Sequence, residues 1–313
     1  LQNKIEEGEE IEPNHFLPIV PTVILNGSSG IAVGFATNIL NRNPKDVIDA
    51  CLAVLSNKRI KTLSPWLSEF NGTFTRNPEN PNTWKISGSY EVLNTNTVKV
   101  TEIPPNFTYE RYEEHLNNLV EKRIINSYED NSSDKIEYIL KFQRAILKQY
   151  ISKGKLDNLL KIHTSETENL TTIDENGKLK IFNRVEEIVQ HFVQVRLKWY
   201  QKRKEYLIAK TEKHLSLVSN KARFILDIIK ERLKVNNVPK DIIIKYLNDE
   251  GYDHVDGNYN YLLNMPIYSL TKERYEKLLE EKKGCEIALK TLKGTEPKEM
   301  YISDLKELKK AVK

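Results

Sequence analysis

Hydrophobic and polar positions change their spacing several times within the first 60 residues. Residues 17–25 are apolar but carry two prolines, which argues for an extended segment outside any central strand. A turn is predicted at 26–30 and a short apolar strand at 31–36. Asn43 and Pro44 predict the start of a helix, because Asn caps helix N-termini and proline is tolerated at the first helical position. The predicted buried positions of this helix are Val47, Ile48, Cys51, Leu52 and Leu55.

The stretch from residue 63 to residue 103 has a period of two, as strands do. Its predicted strands are "GTFTRN", "WKISGSYEVL" and "TVKVTEI", and "NTN" at 94–96 is predicted to be a hairpin turn. Thr108 or a neighbour is predicted to cap a helix that runs to about Lys122, with Tyr112, Leu116 and Leu119 on one face. A further strand is predicted at 135–142. The region 46–180 is therefore expected to mix helices and strands.

The chain from Val185 to about Leu233 contains neither proline nor glycine, and its apolar residues recur at helical spacing. A helix of that length spans roughly 75 Å at about 1.5 Å per residue, which is too long for a small globule to bury. It must pair with another helix, and the predicted partner is Leu270–Lys293. The predicted fold class is α+β, a mixed α/β domain followed by a long antiparallel coiled-coil arm with a small helical knob.

Composition and charge narrow the class of protein. The 313 residues predict about two domains. No run of about 20 apolar residues and no secretory start are visible, so no membrane partner is expected. Cys51 and Cys285 are far apart, which favours a reducing, cytoplasmic compartment. Residues 184–234 hold 13 Lys and Arg against 6 Asp and Glu, which fits a nucleic-acid partner or a solvated helix face.

Five stretches together resemble a known family. They are "PIVPTVILNGSSGIAVGFATNILNRNP", "LSPWLSEFNGTF", "WKISGSYEVLNTNTVKVTEIP", "VRLKWYQKRKEYL" and "YNYLLNMPIYSLTKERYEKLLEEK". In this order they resemble the breakage-reunion subunit of type IIA DNA topoisomerases. The Gly-Ser-Ser-Gly loop is similar to bacterial members, whereas the later motifs are similar to eukaryotic ones. That combination most resembles the medium subunit of topoisomerases from T4-type phages.

The resemblance implies a division of the chain and a missing part. Residues 1–45 would link an upstream winged-helix domain to a tower domain at 46–180. Residues 181–313 would form the coiled-coil arm, with a dimerisation knob, or C-gate, at about 236–268. In the family the nucleophilic tyrosine follows an arginine in the winged-helix domain, and no tyrosine here has that context. We therefore expect a C-terminal fragment, starting at Leu1, that has no catalytic residue and does not cleave DNA alone.

The same resemblance assigns site residues. Ile31 would intercalate between base pairs of duplex DNA, and an apolar wedge of this kind unstacks a step and bends the duplex. Predicted DNA contacts nearby are Asn26, Gly27, Ser28, Ser29, Gly30, Arg42 and Lys45. The predicted dimer-gate residues are Tyr252, Tyr259, Tyr261, Met265 and Ile267. The residues alone leave three other interpretations open. In these, Ile31 belongs to a strand core, the basic face of the long helix is a solvated surface, and the knob is a closed core without a partner.

Partners and cofactors also follow from the resemblance. The expected partners are double-stranded DNA, a second copy of the chain through the C-gate, and an ATPase and metal-binding topoisomerase subunit. No metal site or other cofactor is expected on this chain, and Mg²⁺ and ATP would be bound by the partner subunit. The expected compartment is the cytoplasm, that of a bacterial host if the gene is a phage gene. The rival hypothesis is a non-enzymatic coiled-coil scaffold or architectural DNA-binding protein, and a nuclease is a weaker one.

Overall fold

The computed structural model describes residues 3–13, 16–105 and 107–312. Six residues of the predicted domains lie outside these ranges, namely Leu1, Gln2, Asn14, His15, Asn106 and Lys313. The chain forms two compact units. Unit 1 comprises Leu1–Val195 with Leu305–Lys313, and unit 2 comprises Arg196–Asp304. The domain limits predicted at residues 45 and 180 remain predictions.

Strands occur only before residue 182 among the described residues, and helices dominate after it. The strands are β1 (Asn3–Glu6), β2 (Glu9–Pro13), β3 (Ser28–Ala32), β4 (Phe35–Ile39), β5 (Thr73–Arg76), β6 (Thr83–Ser87), β7 (Ser89–Val92), β8 (Thr97–Glu102), β9 (Ile125–Asp130), β10 (Tyr138–Phe142), β11 (His163–Thr167), β12 (Thr171–Ile173) and β13 (Leu179–Ile181). The helices are α1 (Thr22–Leu25), α2 (Pro44–Leu55), α3 (Tyr109–Glu121), α4 (Arg144–Ser152), α5 (Leu156–Leu160), α6 (Val185–Ile229), α7 (Lys240–Asp249), α8 (Asn260–Leu263), α9 (Lys272–Gly294) and α10 (Pro297–Ala311).

A four-stranded antiparallel sheet in the order β7-β8-β10-β9 contributes to one hydrophobic core of unit 1. Helix α3 packs on it through the three predicted residues Tyr112, Leu116 and Leu119, all of which are buried. The Thr108 hydroxyl accepts a hydrogen bond from the backbone N–H of Arg111, as expected of a helix cap. The predicted helix and its cap are confirmed.

The stretch "WKISGSYEVL" forms two strands rather than the single strand predicted. Strand β6 pairs with β5 and β11 in a three-stranded sheet, whereas β7 belongs to the four-stranded sheet. The chain changes sheets at Gly88, where an added Cβ would lie 2.1 Å from the carbonyl oxygen of Glu102. The two backbones therefore approach more closely than any side chain would allow, and the period-two pattern does not reveal such a break.

Unit 2 contains most of α6, with α9 running antiparallel to it. Val218, Ala222 and Ile225 of α6 pack against Leu278 of α9. Beyond them, α7 and α8 close a small helical core around Phe224, Leu247 and Leu262. The long helix, its returning partner and the knob are as predicted, although α6 has 45 residues and ends at Ile229 rather than near Leu233. Helix α10 was not predicted.

No helix within the described ranges is both long and apolar enough to cross a membrane.

Candidate DNA-contact hairpin and dimer knob

The segment around Ile31, for which the sequence predicts DNA contacts, forms a β-hairpin. Strands β3 and β4 pair antiparallel in the register Ser28↔Ile39 to Ala32↔Phe35, and the turn lies at Val33 and Gly34. Gly34 has a φ of +82°, which suits a tight hairpin turn. The turn predicted at 26–30 and the strand predicted at 31–36 are therefore wrong in position. The turn glycine is Gly34, and residues 28–30 already belong to the first strand.

Three large apolar side chains of this hairpin face solvent. Ile31 is 94% exposed, Val33 is fully exposed and Phe35 is about half exposed. Ile31 is therefore not part of a core formed by the described residues, because the hairpin has only two strands and none of these residues covers its side chain. Val33 and Phe35 were not predicted from the sequence, although two large apolar residues on either side of a glycine are a usable signal of an exposed turn.

The base of the hairpin is held by a buried ionic cluster. The Glu168 carboxylate accepts hydrogen bonds from Arg42 Nη2 at 2.7 Å, Trp84 Nε1 at 2.9 Å and the Leu40 backbone N–H at 2.9 Å. Arg42 Nε also donates to the Leu63 carbonyl at 2.8 Å, and the whole residue is only 1% exposed. The Arg42 guanidinium is therefore buried and bound within the protein, and its predicted phosphate contact stays a prediction.

Backbone pairing extends the same anchor. Asn38 donates to and accepts from the backbone of Asn169, at 3.0 and 2.9 Å, and its side chain donates to the Thr167 carbonyl at 2.9 Å. The hairpin is thus attached to the segment that follows β11, about 130 positions away in the chain. No feature of the sequence marks Glu168 as the counter-charge of Arg42.

The other predicted DNA-binding residues lie just before β3, within β3 and at the start of α2. Asn26, Ser29, Gly30 and Lys45 are exposed, and Gly27 and Ser28 are half-buried. Gly27 has a φ of +69°, and an added Cβ would lie 2.5 Å from Asn41 Oδ1. This glycine is therefore required for the local fold. The DNA contacts of these six residues stay a prediction.

The predicted dimer-gate residues divide into core and surface. Tyr252 and Tyr259 are buried, and their hydroxyls donate to Asp227 Oδ2 at 2.7 Å and to Asn248 Oδ1 at 2.8 Å. Burial and the hydrogen bond to Asp227 raise the pKa of the Tyr252 hydroxyl well above its ordinary value. Both side chains therefore belong to the interior of the knob, and their predicted contact with a second copy stays a prediction.

The remaining knob residues are more accessible. Tyr261 and Met265 are half-buried, and the Tyr261 hydroxyl donates to the Asp253 carbonyl at 2.8 Å. Ile267 is exposed, and the adjacent Tyr268, which the sequence analysis did not choose, is exposed to a similar degree. Both lie in a single 3-10 turn, Ile267–Ser269. They leave an apolar pair on the surface of the knob.

The three described ranges contain no group of three or more His, Cys, Asp or Glu side chains placed to hold a metal ion.

Known proteins are similar to this chain in sequence and in fold. The family model described as the A-type subunit of DNA gyrase/topoisomerase IV matches residues 2–307, which is nearly the whole chain. The chain belongs to this family. The family is one of type II topoisomerases, which are isomerases, and the breakage-reunion resemblance found in the sequence is confirmed at that level.

Relatives of this topoisomerase chain were found among eukaryotic proteins. It is 31% identical to DNA topoisomerase 2 of Plasmodium falciparum over 98% of its own length and 24% of that protein's. It is also 31% identical to the mitochondrial DNA topoisomerase 2 of Dictyostelium discoideum, over 97% of its length and 24% of that protein's. The chain thus spans about a quarter of the length of these relatives.

A solved structure matches the fold of the topoisomerase chain. It is the DNA-binding, cleavage and re-ligation domain of Plasmodium falciparum topoisomerase II, with a TM-score of 0.85 and 31% sequence identity. The match covers all of this chain and 47% of that one. The predicted α+β fold class, with its long helix and C-terminal helices, is confirmed. These relatives are eukaryotic and do not support the narrower resemblance to a phage medium subunit.

Proposed function

We propose that this chain is the part of a type II DNA topoisomerase cleavage subunit that binds and bends duplex DNA and joins two copies of the subunit. The β3–β4 hairpin would contact the duplex, with Ile31 inserted between base pairs. The knob would form the twofold contact. The whole enzyme would pass one duplex through a transient double-strand break in another, and so relax supercoils, at the expense of ATP.

The observation that carries the DNA part of this proposal is the exposed apolar tip on an anchored hairpin. Full burial of an Ile side chain is worth about 1.5–3 kcal/mol, and this stabilisation is forgone while Ile31 faces water. Inserting the side chain into a base step would recover it and offset part of the unstacking cost of a few kcal/mol. The Glu168 anchor supports the proposal, because a wedge transmits force only if its base is fixed.

The flanking residues fit the same arrangement. Ser29 and Gly30 are exposed next to Ile31, where a hydroxyl and an unhindered backbone N–H can bond phosphate oxygens. Lys45 is exposed at the start of α2 and supplies a positive charge. Val33, in the turn, is exposed next to the wedge strand and would enlarge the apolar surface presented to the bases. Phe35 pairs with Ala32 and therefore lies on the other face of the hairpin from Ile31.

The other functions expected of the subunit are proposed on the resemblance and on family membership. The nucleophilic tyrosine would lie outside this chain, which alone would be inactive. Mg²⁺ and ATP would be bound by a partner subunit, and the enzyme would act in the cytoplasm. Kinship with the medium subunit of a T4-type phage enzyme is supported only by the combination of the Gly-Ser-Ser-Gly loop with eukaryotic-like later motifs.

The test of the wedge is DNA bending by the variant Ile31→Ala. Bending is read from energy transfer between dyes at the two ends of a duplex of about 30 base pairs. We expect the wild-type chain to bring the ends together and Ile31→Ala to lose at least half of that change. The dissociation constant should change less than about threefold, because phosphate contacts carry most of the affinity.

A matched control separates the wedge from a general loss of apolar surface. Ile173, on the β12–β13 hairpin, is 73% exposed, and Ile173→Ala should bend DNA like the wild type. Equal bending by wild type and Ile31→Ala would refute the wedge and favour the rival hypothesis of a coiled-coil scaffold, for which Ile31 has no role.

A further inference from the structure

One face of α6 carries charge of a single sign around an exposed aromatic ring. We call it the α6 stripe, and it consists of Lys202, Tyr206, Lys210 and Lys213. At about 3.6 residues per turn the four side chains leave the helix within a sector of roughly 80°. They extend over about 17 Å along the axis at 1.5 Å per residue. All four belong to unit 2.

The stripe lies on the side of α6 that is turned away from α9. The face that contacts α9 contains Val218, Ala222 and Ile225, which pack on Leu278. Helical geometry places the centre of that face about 130° from the stripe. Consistent with this, Lys204, which lies outside the stripe, reaches α9 and donates to the Lys293 carbonyl at 3.0 Å. The returning helix therefore does not cover the stripe.

The stripe lysines make no ion pair with the described residues, whereas some other cations of the arm do. Arg203 pairs with Asp304 at 2.6 Å, and Lys293 pairs with Glu212 at 2.7 Å. The only other acid of α6 near the stripe, Glu205, accepts a hydrogen bond from Gln201. Within the described residues, Lys210 and Lys213 make no ion pair, and Lys202 makes none but lies over the Trp199 ring at 4.4 Å.

An ordinary solvated helix face looks different, and α9 provides the comparison. The outward face of α9 mixes both signs, with Glu276 and Glu280 beside Lys283 and Lys290. Mixed signs keep a surface soluble without creating a strong local field. The α6 stripe has only positive charge, and its ring, Tyr206, is 65% exposed. Unpaired cations interleaved with an exposed aromatic ring are the pattern of a surface that binds nucleic acid.

We infer that the α6 stripe is a second contact surface for duplex DNA, formed by residues other than those of the β3–β4 hairpin. The three lysines bind phosphates of one strand, and the Tyr206 ring packs on the sugar–phosphate backbone. This inference rests on the proposed function, since it concerns the same ligand. It gives the arm a role in holding DNA, whereas the proposed function uses unit 2 only for dimerisation.

The test removes the three charges together and measures DNA affinity against salt concentration. The full chain carrying Lys202→Gln, Lys210→Gln and Lys213→Gln is titrated with a fluorescent duplex of about 30 base pairs. Since each phosphate contact contributes nearly one to the slope of log K against log salt, we expect the slope to become shallower by about two to three. Affinity at low salt should fall at least tenfold.

The matched control removes the same charge from the other helix. Lys277→Gln, Lys283→Gln and Lys290→Gln take three exposed lysines from α9, and the slope should stay that of the wild type. Hydroxyl-radical labelling adds a direct readout: duplex DNA should protect Tyr206 at least twofold and leave Ile287, which is 67% exposed on α9, unchanged.

Each other outcome overturns the inference in a recognisable way. An unchanged salt slope in the stripe variant, or an equal loss of affinity in both triple variants, would mean that the stripe contributes only to the net charge of the protein and is not a contact surface for DNA. An unprotected Tyr206 would point to a protein partner instead. If the stripe fails while Ile31→Ala still reduces bending, the proposed function stands. If the wild-type chain does not bind the duplex, both are wrong.

Discussion

The β3–β4 hairpin and the knob of unit 2 differ in which of their large side chains are buried. In the hairpin the apolar residues Ile31 and Val33 face water, whereas the charged residues Arg42 and Glu168 are buried at the base. In the knob the tyrosines are buried, and the apolar pair Ile267 and Tyr268 is outside. The difference teaches that burial follows from the available partners, because a buried polar atom is tolerated where hydrogen bonds satisfy it.

The comparison has a functional consequence. A rigid polar base with an apolar tip is suited to pushing into another molecule, since the tip has no partner of its own. A closed aromatic core with a small apolar patch is suited to contact with a similar patch. Variants that exchange these properties should show which features stabilise each region and which are free for binding.

The largest effect is expected at the hairpin base. Glu168→Gln should lower the free energy of unfolding by about 3–5 kcal/mol, because it leaves the Arg42 guanidinium buried without a counter-charge. The measurement is urea denaturation followed by circular dichroism. The control is Asp49→Asn, which breaks an exposed pair with Lys309 and should cost less than about 1 kcal/mol. Equal losses in the two variants would contradict the assigned importance of the buried cluster.

The next effect concerns the core of the knob. Tyr252→Phe removes the hydroxyl that donates to Asp227 at 2.7 Å, and hydrogen bonds to charged groups are worth about 1.5–3 kcal/mol. We expect a loss of that size in denaturant unfolding, with the melting of unit 2 affected first. Self-association should be unchanged, because the hydroxyl lies inside the knob. A variant as stable as the wild type would show that Tyr246, at 3.2 Å, satisfies Asp227 alone.

At the surface of the knob, a substitution should weaken self-association and leave stability unchanged. If Ile267 and Tyr268 join two copies, Ile267→Ala should raise the dimer dissociation constant about a hundredfold or more, because each copy loses three carbons worth roughly 0.8 kcal/mol apiece when buried. Sedimentation equilibrium measures the constant. Stability of the separate chain should be unaltered, since the side chain is exposed. A constant equal to that of the wild type would place the dimer contact elsewhere.

The smallest effect is expected at Tyr138, a buried tyrosine whose hydroxyl has no hydrogen-bond partner among the described residues. Tyr138 lies in the four-stranded sheet, and its hydroxyl makes no hydrogen bond with the described residues. Because an unsatisfied buried hydroxyl is unfavourable, Tyr138→Phe should raise the free energy of unfolding by about 1 kcal/mol, the opposite sign to Tyr252→Phe. Chemical denaturation of the two variants side by side measures the contrast.

The same tyrosine predicts a pH dependence. Burial raises the pKa of the Tyr138 hydroxyl to about 12, whereas the unfolded chain ionises near its ordinary value of about 10. Between these values the unfolded state binds fewer protons than the folded state, so the free energy of unfolding falls as pH rises from about 10 to 12. In Tyr138→Phe this contribution is absent, and its alkaline loss should be smaller than that of the wild type. Parallel pH profiles would contradict the assignment.

The sequence by itself determined the starts of two helices, the long helix α6 and the family. Asn43 and Pro44 specify the start of α2, and Thr108 specifies that of α3, because caps act within one turn of the helix. The absence of proline and glycine specifies α6, and the order of the motifs specifies the type II topoisomerase family. These signals are local, and each residue that carries them is close in the chain to the structure it forms.

Only the tertiary structure decided the placement of residues whose partners lie far away in the chain. The burial of Arg42 depends on Glu168, which is 126 positions later, and the division of one predicted strand at Gly88 depends on the approach of Glu102. The placement of Tyr252 inside the knob depends on Asp227. In each case the deciding partner is brought close by folding, and hydrophobic periodicity along the chain contains no information about it.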